Sequence, residues 1–125
     1  AETAPIRLGT RGSALALAQS QRVADSIAAR TGSPVELVPI TTHGDTSTAS
    51  LASMGGVGVF VAAVREALLA GDCDVVVHSL KDLPTTPHDG LVVAAMPKRA
   101  DARDALVSRD GVLLDALPDG ARVGT

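Results

Sequence analysis

The sequence predicts an α/β fold in which a mostly parallel sheet is flanked by helices. Strand-like and helical segments alternate in the order strand, helix, strand, helix, strand, which is typical of parallel sheets with crossover helices. The short, continuous apolar run at residues 75–77 is typical of a strand that is covered on both faces. Hydrophobic residues make up 46% of the 125 residues, which is enough for a packed core and too many for a disordered chain.

The first strand is predicted at residues 6–9, and a helix follows it as far as about Arg30. Ser13 is a suitable N-cap because its hydroxyl can accept a free amide of the first helical turn. Gly32 and Pro34 end the helix. The spacing places four apolar residues on one helical face, which we expect to pack inward: Leu17, Ala24, Ile27 and Ala28.

The remaining predicted elements are a strand at 35–41, a polar loop at 42–50, a glycine-rich turn at 55–58, a helix from Phe60 to Gly71, and strands at 75–77 and 91–96. In the second helix Phe60, Val64 and Leu68 step by four and share one face. These elements complete the alternating pattern.

The composition changes after Pro97, where five charged residues occur at positions 98–104. We interpret this segment as a hinge, so that residues 1–97 form a first α/β domain and 98–125 begin an incomplete second one. A solvated surface loop is the alternative. Residues 121–125 echo residues 6–10 as a strand entering Gly-Thr, without the helix that would cover it. We therefore expect the chain to be the front part of a longer protein.

Composition excludes several classes of protein. The net charge is −3, with no basic block, which disfavours a nucleic-acid partner. There is no apolar run near 18 residues and no signal-peptide pattern. The single cysteine and three scattered histidines lack the spacing of metal ligands. We therefore expect no metal site, no membrane partner and a reducing, cytoplasmic setting.

The densest group of reactive side chains, HSLKDLP at residues 78–84, directly follows the predicted strand at 75–77. Parallel α/β sheets bind ligands at the carboxyl ends of their strands, so this position favours a functional role for Lys81 and Asp82. A solvated ion pair is the alternative. We expect His78 to be a hydrogen-bonded residue near the core rather than a catalyst.

A second group, Thr10 to Ser13, lies where the first strand enters the first helix. The helix-end amides, the helix dipole and the Arg11 guanidinium predict an anion site, whereas the alternative is a capped helix with a surface arginine. No dinucleotide or phosphate-loop fingerprint is present. We expect the glycine-rich run at 54–60 to be a flexible loop, Asp45 to cap a turn, and Cys73 to be a small buried hydrophobe.

Five segments, in this order and spacing, resemble the amino-terminal part of the porphobilinogen deaminases, also called hydroxymethylbilane synthases: IRLGTRGSALALAQ, ELVPITTHGD, GGVGVFVAAVREAL, DVVVHSLKDLP and DARDALVSRDG. The resemblance extends from Ile6 to Thr125, and HSLKDLP is its most distinctive part. It implies a two-lobed architecture like that of type II periplasmic binding proteins, with the second lobe truncated here and a third, cofactor-bearing domain absent.

The resemblance implies a transferase of tetrapyrrole (haem) biosynthesis, which joins four porphobilinogen molecules head to tail and releases ammonia at each step. Its dipyrromethane cofactor is bound through a cysteine of the third domain, so Cys73 does not take that role. This chain alone is expected to be inactive. The full-length enzyme is expected to be a cytoplasmic monomer whose partner is the small molecule porphobilinogen.

The resemblance also implies the roles of six residues. Loss of ammonia leaves a cationic pyrrole, and a fixed carboxylate stabilises such a charge. The implied roles are catalytic for Asp82, substrate-binding for Arg11 and Ser13, and cofactor-binding for Ser79, Lys81 and Thr125. Val57 replaces a lysine that many members carry, so a loop closure using that cation is not expected here.

Two other classes of protein remain as alternatives. The first is a non-catalytic, two-lobed module that binds small anions, for which a strand-end anion site and a hinge would suffice. Such a binder gives HSLKDLP no purpose. The second is a structural α/β interaction domain, which leaves both polar groups unexplained.

Overall fold

A computed structural model describes residues 4–41 and 58–124 of the chain. The regular elements are strand β1 (Ile6–Arg11), helix α1 (Ala14–Thr31), strand β2 (Val35–Ile40), helix α2 (Gly58–Ala70) and strand β3 (Val75–Val76). Short 3₁₀ turns follow at Leu80–Asp82, Arg109–Gly111 and Leu114–Ala116. The alternating order of the predicted elements is therefore observed as far as β3.

The three strands form one parallel sheet in the order β2-β1-β3. Pairing between β1 and β2 runs from Ile6 opposite Val35 to Arg11 opposite Ile40, and Leu8 lies opposite Val75 on the other side. This arrangement confirms the predicted α/β class. Strand β1 extends two residues beyond its predicted end, so that Arg11 belongs to the sheet.

Helix α1 has the predicted ends and the predicted inward face. Ser13 is its N-cap, and Gly32 ends it in the left-handed conformation at φ 72°, which glycine adopts without the steric cost of a side chain. Ala24 is buried, whereas Gln21 and Asp25 are exposed and joined by a 2.8 Å hydrogen bond. The helix therefore covers the sheet with its small and apolar side chains.

The buried apolar core of the described residues consists of Leu8, Ala24, Val61, Val64 and Cys73. Val64 therefore faces inward as predicted, while the side chain of Phe60 lies outside the described part. Gly9 permits the closest packing in the sheet, since a Cβ atom there would lie 2.7 Å from the Sγ atom of Cys73. Only a residue without a side chain fits at this position of β1.

Two predicted strands are wrong. Residues 91–96 have no regular structure, and Val92 and Met96 are 86% and 72% exposed. Residues 121–124 are likewise irregular. An apolar sequence becomes a strand only when a neighbouring strand accepts its backbone hydrogen bonds, and within the described residues the sheet pairs only β1, β2 and β3.

The chain divides into two compact units, Ala1–Ala95 and Met96–Thr125. The first unit contains the sheet and both α-helices, and the second contains two of the 3₁₀ turns. No helix in the described part of the chain has the length and apolar character needed to span a membrane.

Candidate functional site

The turn from β1 into α1 forms one wall of the candidate site. Arg11 is the last residue of β1, and the Ser13 Oγ atom accepts a hydrogen bond from the Ala16 amide at 3.3 Å. The Ser13 carbonyl accepts the Leu17 amide at 2.9 Å, so the first helical turn is well formed. Its amide groups and the helix dipole provide positive potential beside the Arg11 guanidinium.

The residues after β3 form the other wall. The Val77 amide donates to the Gly9 carbonyl at 3.1 Å, which keeps the chain beside β1 for one residue past the end of the strand. His78 and Ser79 follow directly. Because β1 and β3 are parallel neighbours, the segments leaving their carboxyl ends lie side by side.

A cavity of about 60 Å³ lies between these two walls. Its lining residues come from the end of β1, the first turns of α1 and the segment after β3: Arg11, Ser13, Leu15, Ala16, Gln19, Val77, His78 and Ser79. Arg11, Ser13 and Ser79, three of the six predicted site residues, therefore share one cavity. A space of this size holds a few water molecules or one carboxylate group, and it is smaller than a substituted pyrrole.

The predicted catalytic and cofactor-binding residues Asp82 and Lys81 lie beyond this cavity in the next turn. The Asp82 amide donates to the Ser79 carbonyl at 3.0 Å, and the Leu83 amide donates to the Leu80 carbonyl at 3.1 Å. Lys81 is exposed and Asp82 is half-buried. Neither residue is among those lining the cavity, so the structure brings Asp82 near Ser79 in the chain without placing it beside Arg11.

Several predicted features lie outside the described residues. They are the cofactor-binding residue Thr125, the turn residue Asp45, Val57, and the polar and glycine-rich loops at 42–50 and 54–57.

His78 is the hydrogen-bonded residue that the sequence predicts. Its Nδ1 atom lies 3.2 Å from the Ser79 carbonyl oxygen, and a carbonyl only accepts, so Nδ1 carries the proton. The Nε2 atom is buried and has no hydrogen-bond partner among the described residues. The ring therefore supports the backbone at Ser79.

Sequence reasoning did not find a buried pair of hydroxyl groups behind the cavity. Ser20 of α1 donates a 2.7 Å hydrogen bond to the Oγ1 atom of Thr10 in β1, and both residues are fully buried. The sequence could have indicated this pair, because Ser20 lies three residues after Leu17 and four before Ala24, which places it on the inward face of the helix. A polar residue on such a face requires a buried partner.

Gln19 is a further residue of the cavity wall that sequence reasoning did not single out. It lies in the second turn of α1, and its neighbours Ala16 and Leu15 also line the cavity. The helix therefore contributes an amide side chain as well as its N-terminal turn. Gln19 is exposed on the helix, and nothing in the sequence pattern distinguishes it from the other polar residues of α1.

The opposite end of the sheet carries an ion pair. Arg7 near the start of β1 contacts Asp74 through its Nη2 atom at 2.8 Å and Nε at 3.3 Å, and its own amide donates to the same carboxylate at 2.8 Å. The hydrogen bond from the Arg7 side chain lowers the pKa of the Asp74 carboxyl. This pair joins the start of β1 to the residue before β3.

Cys73 lies at this same end of the sheet, before β3. The residue is buried, and desolvation raises the pKa of its thiol. Burial disfavours the reactive thiolate, so the prediction of a small buried hydrophobe is confirmed. In the described part of the chain no cluster of three or more histidine, cysteine or acidic residues could hold a metal ion.

The parallel sheet, with a helix N-terminus and a guanidinium at the carboxyl end of its central strand, defines an α/β domain with a small cavity lined by hydrogen-bond donors. Residues 6–125 match the family model described as porphobilinogen deaminase, dipyrromethane cofactor-binding domain. The chain belongs to the porphobilinogen deaminase family. The resemblance stated from the sequence motifs is thereby confirmed.

The chain is similar to three named relatives. It is 61% identical over 120 residues to a porphobilinogen deaminase of Leifsonia xyli, 64% identical over 120 residues to porphobilinogen deaminase 1 of Streptomyces coelicolor, and 54% identical over 120 residues to that of Mycobacterium avium. Each match covers 96% of this chain. It covers 36% of the first relative and 38% of the other two, so the chain spans little more than a third of their length.

The described residues fit part of a dipyrromethane group. The sequence comparison assigns the chain to the domain that binds this cofactor, whose pyrrole rings carry carboxylate side chains. Arg11, Ser13 and Ser79 supply a guanidinium and two hydroxyl groups, which are donors suited to carboxylates. The cavity of about 60 Å³ is large enough for a carboxylate, so these residues would hold a carboxylate side chain of a pyrrole.

Proposed function

We propose that this chain acts in hydroxymethylbilane synthesis, as part of a transferase that joins four porphobilinogen molecules head to tail and releases ammonia at each step. The observation that carries the proposal is the shared cavity of Arg11, Ser13 and Ser79 at the carboxyl ends of β1 and β3. Membership of the porphobilinogen deaminase family supports the reaction.

The proposed substrate contact is a carboxylate of porphobilinogen at Arg11 and Ser13. Porphobilinogen carries acetate and propionate side chains, and a forked guanidinium binds a carboxylate through two charge-assisted hydrogen bonds. The N-terminal amides of α1 add positive potential at the same point. The cavity of about 60 Å³ has room for a carboxylate, and the pyrrole ring would lie outside it.

Asp82 is the proposed catalytic residue. Positive charge develops on the pyrrole nitrogens as ammonia leaves, and the ring must lose a proton after coupling. A carboxylate about 4 Å from such a charge attracts it by roughly 4 kcal/mol at an effective dielectric constant near 20. The hydrogen bond from the Asp82 amide to the Ser79 carbonyl holds the backbone of this turn, and a fixed backbone supports the role of a preorganised carboxylate.

Ser79, Lys81 and Thr125 are the proposed contacts to the dipyrromethane cofactor. When bound, this group supplies the primer to which substrate units are added. Lys81 is exposed and therefore available to a carboxylate, and Ser79 presents its hydroxyl in the cavity wall. Cys73 is buried before the start of β3, at the opposite end of the sheet from the cavity, and is not the proposed point of attachment.

At the level of the whole protein, we propose a two-lobed, cytoplasmic monomer in which residues 1–97 form most of the first lobe and residues 98–125 the hinge and the start of the second. A third domain carries the cofactor. No nucleic acid takes part in this function.

The role of Asp82 is tested in an extended enzyme, in which this chain is continued by the remaining sequence of the Streptomyces coelicolor relative. Asp82→Asn keeps the shape of the side chain and removes its charge. We expect ammonia release from porphobilinogen to fall by about 10²- to 10³-fold while the melting temperature stays close to that of the unchanged protein.

Asp89→Asn is the matched control, because Asp89 is exposed in the loop that follows the turn, and it should keep normal turnover. Normal turnover by Asp82→Asn would reject the catalytic assignment. If the unchanged extended enzyme binds porphobilinogen and releases no ammonia, the anion-binding module is the correct function instead.

A further inference from the structure

The buried hydroxyl pair of Thr10 and Ser20 is linked by a further hydrogen bond to the backbone of Arg11. The Oγ1 atom of Thr10 accepts the hydrogen bond from Ser20 at 2.7 Å and lies 3.2 Å from the carbonyl oxygen of Arg11. Thr10 and Ser20 are both 0% exposed. The chain of contacts therefore runs from α1, through β1, to the peptide group of the residue that lines the cavity.

The direction of these hydrogen bonds is fixed by chemistry. A carbonyl oxygen only accepts, so the single hydroxyl proton of Thr10 is donated to Arg11. Ser20 must then donate to Thr10, because the Thr10 proton is already used. The two bonds form one ordered chain in which each hydroxyl has a single role.

These two hydrogen bonds lie at the carboxyl end of β1, where the sheet ends. Arg11 is the last residue of β1, and Gly12 and Ser13 turn the backbone into α1. A valine at position 10 would fill nearly the same volume, but it would lose the hydrogen bond to Arg11 and leave the buried Ser20 hydroxyl without its Thr10 acceptor. The hydroxyl of Thr10 instead ties the Arg11 peptide to the helix that follows it, two residues before the N-cap.

We propose that Thr10 is a positioning residue that holds the Arg11 peptide group, and thereby the guanidinium, in the orientation that binds a carboxylate of the substrate. Ser20 orients the Thr10 hydroxyl. The inference rests on the proposed function, since it concerns the same carboxylate site, and it adds two residues of β1 and α1 that do not line the cavity.

The first test compares Thr10→Val with Thr10→Ser in the extended enzyme. Thr10→Val removes the hydrogen bond to Arg11 and should raise the KM for porphobilinogen about three- to tenfold, the effect of one neutral hydrogen bond. The kcat should stay the same, because a substrate-binding contact is affected and not the chemical step. Thr10→Ser keeps the hydroxyl and should restore the KM.

Ser20→Ala and Val61→Ala are the matched controls. Ser20→Ala leaves the Thr10 to Arg11 bond in place, so its KM should rise less than that of Thr10→Val. Val61→Ala removes buried volume from α2, away from the cavity lining, and should lower the melting temperature without changing the KM. A KM that follows the melting temperature across all of these variants would show a purely structural role.

The decisive test repeats Thr10→Val in an Arg11→Ala background. If Thr10 acts through Arg11, the second substitution changes the KM no further, whereas independent effects on stability and binding multiply. Multiplying effects, or an unchanged KM in Thr10→Val alone, would overturn the proposal. Failure of the proposed function would give a different result, because the unchanged extended enzyme would then release no ammonia from porphobilinogen.

A readout that is independent of activity comes from amide hydrogen exchange in the chain itself. Thr10→Val should speed exchange of the Ser13 and Gly12 amides at the turn more than exchange of amides in the last turn of α1. Equal acceleration along the whole helix would contradict a local positioning role and indicate a general loss of stability.

Discussion

Arg11 illustrates how the end of a strand positions a candidate binding residue. It is half-buried, its carbonyl is tied to Thr10 at 3.2 Å, and Ser13 caps the helix two residues later. The backbone on both sides of Arg11 is therefore held by hydrogen bonds before any ligand arrives. Such preorganisation lowers the entropy that a bound carboxylate would otherwise cost.

We expect Arg11→Ala to impair substrate use more than folding. A hydrogen bond between charged groups contributes about 1.5–3 kcal/mol, so the KM of the extended enzyme should rise roughly ten- to hundredfold. Arg22→Ala, on the exposed face of α1, is the control and should leave the KM unchanged. Kinetics and thermal unfolding of both variants measure the effect. Equal losses of stability and of substrate use would favour the alternative interpretation, in which Arg11 is only a surface arginine beside a capped helix.

At the residue scale, the sequence predicted the parts of the site that depend on strand ends and helix caps. Arg11, Ser13 and Ser79 share a cavity because each follows or closes a regular element of the parallel sheet. The relation of Asp82 to Arg11 could not be predicted, since Asp82 is the last residue of a 3₁₀ turn, Leu80–Asp82, that follows β3. The direction of such a turn depends on tertiary contacts rather than on local pattern.

At the scale of elements, the successful and the wrong strand predictions differ in what surrounds the segment. Residues 75–77 and 91–96 are both apolar runs, yet only the first contributes a strand, β3, which pairs with β1 through Leu8 and Gly9. Helix α1 was predicted almost to the residue because its cap and its glycine stop are local signals. Strand pairing is a long-range property that no local pattern contains.

The ion pair between Arg7 and Asp74 predicts how the stability of the sheet depends on pH. The hydrogen bond from Arg7 lowers the pKa of Asp74 below its ordinary value of 3.8, so near that pH the unfolded chain binds more protons than the folded one. The contribution to stability is present above pH 3.8 and is lost as the pH falls through the folded-state pKa. Arg7→Gln should therefore flatten the acid side of the stability curve.

Urea unfolding between pH 5 and 2.5 measures this effect, with roughly this pH range spanning the titration of a carboxyl group. Arg22→Gln is the control, because Arg22 lies on the exposed face of α1, and it should retain the pH dependence of the unchanged chain. An unaltered slope in Arg7→Gln would show that the pair does not couple folding to protonation.

At the scale of the whole molecule, the size of the cavity and the length of the chain lead to the same expectation. The cavity of about 60 Å³ accepts one carboxylate, whereas porphobilinogen carries two and a growing pyrrole chain carries more. The match covers only 36–38% of the length of the first two relatives. Under the proposed function, the remaining carboxylates would be bound by residues outside this cavity.

We expect the 125-residue chain alone to release no ammonia from porphobilinogen, while the extended enzyme does. The physical reason is that the single cysteine of the chain, Cys73, is only 2% exposed beneath β1 and is unsuited to covalent attachment of the cofactor. Ammonia release is measured for the chain, the extended enzyme, and the chain mixed with the separately produced remainder. Asp82→Asn in the extended enzyme provides the background rate. Turnover by the isolated chain above that background would contradict the expectation and place the complete catalytic machinery within these 125 residues.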